Sequence, residues 1–280
     1  MAATPRIAPG RLVSRHGRTR RHGFVLAIAA ALFLLGVALP LLLLANGTFD
    51  HHPMIVATGA CLCIAGVAVG VAWKAMGPKT VLSLHDRGVV IHHAGSREDV
   101  FVPFAAMGDL FLYRHGSHGG LVNGLAFRRD ASTPWVEIMD NVGDAFRLRG
   151  AIIEGQLRER GPLTLRALEA GEGIVFHTVS DEARLARRAG NAAPVTEATP
   201  FMLSPLGVEF ADRLIPIGDI ASVDEGTTTG SLRLLDSQGN TLWGVHYLSL
   251  FSADLFIVLM RTLIEARQYG LGGVPDNKGY

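Results

Sequence analysis

The chain has 280 residues, a formal net charge of +1, 49% hydrophobic residues and two cysteines. That length accommodates two modest domains once membrane segments are set aside. Six arginines (Arg6, Arg11, Arg15, Arg18, Arg20, Arg21) precede residue 24 and no acid does. Beyond residue 73, 20 basic residues face 24 acidic ones, which argues against a basic face for nucleic acid outside the N-terminal arm.

Residues 1–23 read as a basic arm on the cytoplasmic side. Residues 24–45 then form an uncharged run of 22, of which 14 are Leu, Ile, Phe or Val. At roughly −0.3 to −0.6 kcal/mol for each of those, insertion into a bilayer is favourable by about 4 to 8 kcal/mol. As a helix the run is about 33 Å long, against a hydrocarbon core of about 30 Å. Pro40 is predicted to bend its second half.

Residues 54–73 are a second uncharged run, with only seven strongly apolar side chains but several small ones. Gly59, Gly66 and Gly70 are the expected helix-packing residues, the last two in a Gly-x-x-x-Gly spacing that serves either the first helix or a second chain. Cys61 and Cys63 lie in this run, two residues apart, where a disulfide is geometrically poor and packing is the simpler role. The first run is too long for a signal-peptide core, and another apolar segment follows eight residues later. The connector 46–53 has no Lys or Arg, whereas Lys74 and Lys79 follow the second run. The positive-inside rule then predicts a multi-pass protein of the cytoplasmic membrane with both termini in the cytoplasm.

From residue 80 the pattern changes to short alternating segments with turn residues between them, a strand signature. Strands are predicted at 81–86 and 89–93 around Arg87-Gly88, then at 99–104, 109–114, 124–129, 135–139 and 145–149. A helix is predicted over 151–170, broken or kinked at Gly161-Pro162. The scheme then recurs. Leu82-x-Leu84-x-x-x-Gly88-Val89-x-Ile91 aligns without a gap with Phe201-x-Leu203-x-x-x-Gly207-Val208-x-Phe210. Val102-Pro103-Phe104-x-x-Met107 likewise aligns with Ile215-Pro216-Ile217-x-x-Ile220. Each unit continues through two strands, the second containing Trp135 or Trp243, to a helix, here predicted over 250–268. Two matched motifs in the same order point to duplication. Gly88 and Gly207 suit a tight turn with positive φ, and Pro103 and Pro216 suit a strand end or sheet edge.

At these residues the chain resembles bacterial pleckstrin-homology-like domains, which are often tethered behind a pair of transmembrane helices. The resemblance covers 80–170 and 201–268. Phe104 and Ile217 replace the Trp common after the proline; Asp219 keeps the acidic position two residues on, and Ala106 loses it. The resemblance implies a transmembrane hairpin followed by two tandem, mainly-β barrels, each seven-stranded, partly open and closed by a C-terminal helix. It implies no catalytic residues.

Between the units, 171–200 reads as a linker with one added strand near 173–179 and a short helix over 180–189; 269–280 reads as a flexible tail. Adjacent His92 and His93 on a strand face opposite ways and cannot readily share a metal. His115-x-x-His118 in a Gly-rich loop lacks a third ligand nearby, so surface histidines are the simpler reading. No cofactor, metal site or catalytic constellation is expected, and Asp86-Arg87 in the first hairpin argues against specific phosphoinositide binding. Residues 255–260 are apolar all round, where a helix on one barrel needs only a stripe. Leu255, Ile257, Val258 and Leu259 are therefore a candidate interaction surface for the other unit, another chain or the membrane surface. The expected function is that of a non-enzymatic, membrane-anchored interaction or scaffold protein with a protein partner or self-association. An accessory subunit of a transport or envelope complex, or a His-loop metal-dependent sensor or enzyme, are the alternatives.

Overall fold

The computed structural model describes residues 8–17, 21–47, 49, 52–75, 80–93, 99–114, 122, 124–139, 142–188, 198–210, 213–226 and 230–269. Two helices, α1 (Arg21–Ala45) and α2 (Pro53–Ala75), contain the spans Gly23–Ala45 and Pro53–Lys74, each long and apolar enough to cross a membrane. Their apolar side chains are largely uncovered, with Phe24 71% and Ile64 69% exposed. The core helix of a water-soluble domain would bury such residues.

The two helices meet through small residues spaced by seven. A Cβ placed on Gly59 would lie 2.7 Å from the Gly36 carbonyl oxygen and 2.8 Å from the Pro40 ring, and one on Gly66 would lie 2.8 Å from the Ala29 carbonyl oxygen. Ala29 and Gly36 thus face Gly66 and Gly59, a heptad seam of the kind made by nearly parallel helix axes. Gly70 stands apart, with nothing within 4 Å of a Cβ there. The Gly66-x-x-x-Gly70 spacing is therefore divided: Gly66 packs on α1 and Gly70 does not.

The first half of the folded part opens with a strand the sequence reading placed in the basic arm. β1 (Leu12–His16) pairs antiparallel with β2 (Thr80–His85), which pairs with β3 (Gly88–His93), which pairs with β4 (Val100–Pro103). A second antiparallel sheet holds β5 (Asp109–Tyr113), β6 (Gly124–Arg128) and β7 (Val136–Ile138), and α3 (Ala145–Glu169) follows. The second half has the same order. β8 (Ile174–Thr178) pairs with β9 (Thr199–Ser204), which continues through β10 (Gly207–Phe210) to β11 (Arg213–Pro216). β12 (Ser222–Gly226), β13 (Ser231–Leu235) and β14 (Thr241–His246) form its three-stranded sheet, and α5 (Ala253–Gln268) ends it. The short α4 (Asp181–Arg188) lies between β8 and β9, as the apolar hairpin lies between β1 and β2.

The matched motifs meet each other in both halves. Gly88 is the cross-strand partner of Pro103, and Gly207 of Pro216. A Cβ on either glycine would collide with the proline strand, 2.8 Å from Pro103 Cα or 2.9 Å from Pro216 Cα. Close approach is thus the shared requirement, since Gly207 takes positive φ (150°) and Gly88 does not. The amide of Phe104 donates to Arg87 O at 3.0 Å and that of Ile217 to Leu206 O at 2.8 Å, closing the same corner twice. Among the described residues, Asp144 (φ 55°) and Ser252 (φ 51°) are the non-glycine positions with positive φ, and they are the N-caps of α3 and α5.

Three expectations are corrected. The sheets are not closed barrels: a short 3-10 turn (Phe104–Ala106) and the turn after Pro216 carry the chain from one sheet to the next, so each half is a four-stranded and a three-stranded sheet without a continuous ladder. The strand predicted at 145–149 is the first turn and a half of α3. Its alternating Ala-Phe-Arg-Leu-Arg is too short to separate period 2 from period 3.6, and the left-handed Asp144 turns the chain into a helix, with the Leu148 amide on Asp144 O at 3.1 Å. α3 also runs through Pro162 without ending.

α3 belongs to both halves. Its Leu148 and Ile152 lie in the core of the first, beside Leu82, Ile91 and Phe127, and its Leu168 lies in the core of the second, beside Leu203, Leu234 and Phe256. Gly155 makes room for the Phe104 ring, 2.6 Å from where a Cβ would sit. Leucine at Gly36 or Gly59 is expected to force the apolar helices apart, at about 1–3 kcal/mol for each overpacked contact. Leucine at Gly70 should be neutral; thermal unfolding in detergent and gel-filtration profiles of the three variants provide the check.

Candidate functional site at the junction of the halves

The segment 107–110 leaves the 3-10 turn and enters the space between the halves. The Leu110 amide donates to Ser252 Oγ at 3.1 Å, and the Ser252 amide returns a bond to Leu110 O at 2.6 Å. Gln156 Nε2, on α3, donates to both Met107 O and Ser252 Oγ at 3.0 Å, and Arg160 donates to the same Met107 carbonyl. Ser252 makes no side-chain cap for α5; the left-handed conformation at that residue directs the hydroxyl across the junction instead.

Asp109 adds a buried ion pair. Its Oδ2 accepts from Arg128 Nε on the neighbouring strand at 2.7 Å, while Oδ1 lies 3.1 Å from His177 Nδ1 on β8 of the other half. Burial pushes the Asp109 carboxyl up, but the hydrogen bonds and charges of His177 and Arg128 outweigh it and hold the group below the usual carboxylate range. Burial also lowers the Arg160 guanidinium, with the Asp109 charge opposing it.

An aromatic cluster closes over these polar groups. Phe251 packs edge-on against Phe111 (4.9 Å between centroids) and Trp135 (5.2 Å), and the Arg128 guanidinium lies 4.4 Å over the Trp135 ring. Phe111, Tyr113 and Ala126 of the first half are buried together with Val179 and Phe251 of the second. Backbone bonds from Phe251 N to His177 O (2.9 Å) and from Val179 N to Ser249 O (2.8 Å) anchor the second half's side of the cluster.

Leu255, Ile257 and Leu259 are buried in the second half's core, and α5 packs against α3. The second contact of this apolar helix is α3, the helix shared by the two halves. These three side chains are not open to an outside partner, and of the four only Val258, at 45%, is well exposed. His92 bridges Ser83 Oγ (2.8 Å) and Asp99 (2.7 Å), while His115 and His118 lie outside the described residues. Among the described residues no three His, Cys, Asp or Glu side chains are grouped to hold a metal. An open cleft of about 670 Å³ beside the end of α5 is lined by Asp219, Asp236, Leu242 and Arg267. Two of its charged groups are engaged within the chain: Asp236 accepts from the amides of Gln238 and Asn240 at 2.8 Å, and Arg267 donates to Ile217 O at 3.2 Å.

A second acid cluster sits at the start of α5. The Tyr247 hydroxyl donates to Asp254 Oδ2 at 2.7 Å, and nearby Glu225 pairs with Arg261 at 2.6 Å. Burial and the Glu225 charge push Asp254 up despite the Tyr247 bond, and burial and Asp254 push the Tyr247 hydroxyl up.

The sequence reading did not single out Asp109, Gln156, His177 or Ser252. One signal for them existed in Gln156, a polar residue four positions after the core residue Ile152 on α3. No protein-family model matches the sequence, and no curated protein is significantly similar to it.

Alanine at Ser252 leaves the Leu110 amide and Gln156 without their acceptor and is expected to destabilise the fold by about 1–3 kcal/mol, read by denaturant unfolding of the detergent-solubilised chain. Because Asp109 is held below its unfolded value of 3.8, its ionised form stabilises the fold above that pH, and the benefit is lost as pH falls through and below it. The stability gap between wild type and Asp109→Asn should therefore shrink as pH falls below 3.8.

Proposed function

We propose that this is a non-catalytic, membrane-anchored interaction protein. Its apolar hairpin fixes it in the cytoplasmic membrane, and two pleckstrin-homology-like units, joined as one body, face the cytoplasm and bind a protein partner or a second copy of the chain. The observation that carries this reading is the placement of the hairpin. It is inserted between two neighbouring strands of the first sheet, so the strand before α1 and the strand after α2 lie side by side. Two crossings of a bilayer satisfy that pairing, and a single crossing does not. The arginines before α1 and the lysines after α2 support a cytoplasmic position for that side.

The unit reading is supported by the twice-repeated order of four strands, corner, three strands and helix, with a glycine–proline cross-strand pair at the same place in each. With Leu255, Ile257 and Leu259 buried, the sheet edges are the surfaces this reading assigns to a partner, where an added strand would gain backbone hydrogen bonds.

Two measurements test this. Alkaline carbonate should leave the protein in the membrane pellet, and a tag after Tyr280 should resist protease added outside intact cells and be cleaved after lysis. Cross-linking in native membranes followed by detergent purification should recover a second copy or a defined partner. Recovery of neither removes the interaction reading, and cleavage of the tag from outside removes the orientation.

A further inference from the structure

The root of the hairpin is bound to the start of α3. Gly17, the residue after β1, accepts from the Gly143 amide at 2.6 Å, and His16 Nδ1 donates to Gly143 O at 2.8 Å. A Cβ on Gly17 would lie 3.9 Å from Val81, near the start of β2, so both ends of the hairpin emerge at this corner. Gly17 is four residues before Arg21, where α1 begins, and four residues of chain reach at most about 14 Å. The corner at Gly143 is therefore held close to the end of the apolar helix, whatever path the chain takes between them.

Immediately past that corner the first turn of α3 presents two side chains to solvent. Phe146 is 80% exposed, and the side chain of Arg147 is 84% exposed, with Asp144 3.8 Å away. The neighbouring positions of α3, Ala145, Leu148 and Arg149, are buried, so the exposure of Phe146 is local and not a loosely packed helix end. By sequence the root is basic, with Arg18, Arg20, Arg21, Lys74 and Lys79 flanking the two helices. An exposed aromatic ring next to the exposed Arg147, at a point tethered within one short span of an apolar helix, matches the chemistry of the headgroup–acyl boundary of an anionic bilayer.

We infer that Phe146 and Arg147 form a lipid contact that seats the first half on the surface of an anionic membrane, the ring in the boundary layer and the guanidinium on lipid phosphates. The inference rests on the proposal that the hairpin crosses the bilayer, and the test separates the two. The full chain is placed in vesicles of phosphatidylcholine and phosphatidylglycerol, with photoreactive benzoylphenylalanine at position 34 on α1, at 146, or at 206 in the β9–β10 turn.

Lipid adducts are expected at 34 and 146 and not at 206. Arg147→Glu, or vesicles of phosphatidylcholine alone, should reduce the adduct at 146 and leave that at 34 unchanged. An adduct at 34 without one at 146, or equal adducts at 146 and 206, overturns the contact while the hairpin stands. Absence of an adduct at 34 overturns both. Substitution at 146 does not threaten the fold, because the side chain it replaces has no part in a core.

Discussion

The antiparallel pairing of β1 with β2 is the constraint on which the architecture rests. His16 lies opposite Leu82, and everything between them, including both apolar helices, is an excursion that must return to its starting point. An excursion of two helices of similar length, packed side by side, does this with the least strain on the connecting residues. The close seam of Ala29, Gly36, Gly59 and Gly66 suits it, since short connectors from paired strands keep the two helices side by side, and small residues let the axes approach.

The second half uses the same plan with a different excursion. Where the first half inserts the hairpin, the second inserts α4 and the residues after it, and β8 returns to pair with β9. The halves are then held in one arrangement by α3, which contributes to both cores, and by the polar groups around segment 107–110. Buried ion pairs such as Asp109–Arg128 add little net stability over well-packed apolar residues, but removing one partner is costly. The directional bonds of Asp109 to His177, and of the Leu110 amide and Gln156 to Ser252, therefore set how the halves dock more than how strongly.

The elements that the sequence made legible are those with long or repeated patterns. The apolar runs, the glycine and proline motifs and the final helix all fall close to their predicted positions, because each rests on many residues of one period. β1 was not legible: five residues with two polar ones, set among arginines, carry no alternation strong enough to stand out, and their partner lies more than sixty positions away in the chain. The start of α3 was misread for a related reason, since the left-handed cap at Asp144 is a backbone property that its residue type only weakly favours. Of the heptad seam, Gly59 and Gly66 were legible as small residues in the second run, whereas Ala29 and Gly36 stand in a Leu-rich run whose composition does not mark them. The junction residues escaped because a serine, a histidine and an aspartate on separate elements share no spacing; only tertiary contact brings them together.

The interruption of the first sheet by the hairpin has a consequence for biosynthesis. β1 leaves the ribosome well before β2 and, alone, is a short ribbon with unpaired edges and nothing to hold it. In solution, closing so long a loop would be entropically unfavourable. On the proposed membrane placement, a hairpin settled in lipid would bring the loop ends together beforehand, and completion of the first sheet would be contingent on insertion of both helices. A chain in which only one helix had entered the bilayer would leave β1 and β2 on opposite sides, and its first sheet would lack an edge. Insertion quality would then be registered in whether the β-rich body can close.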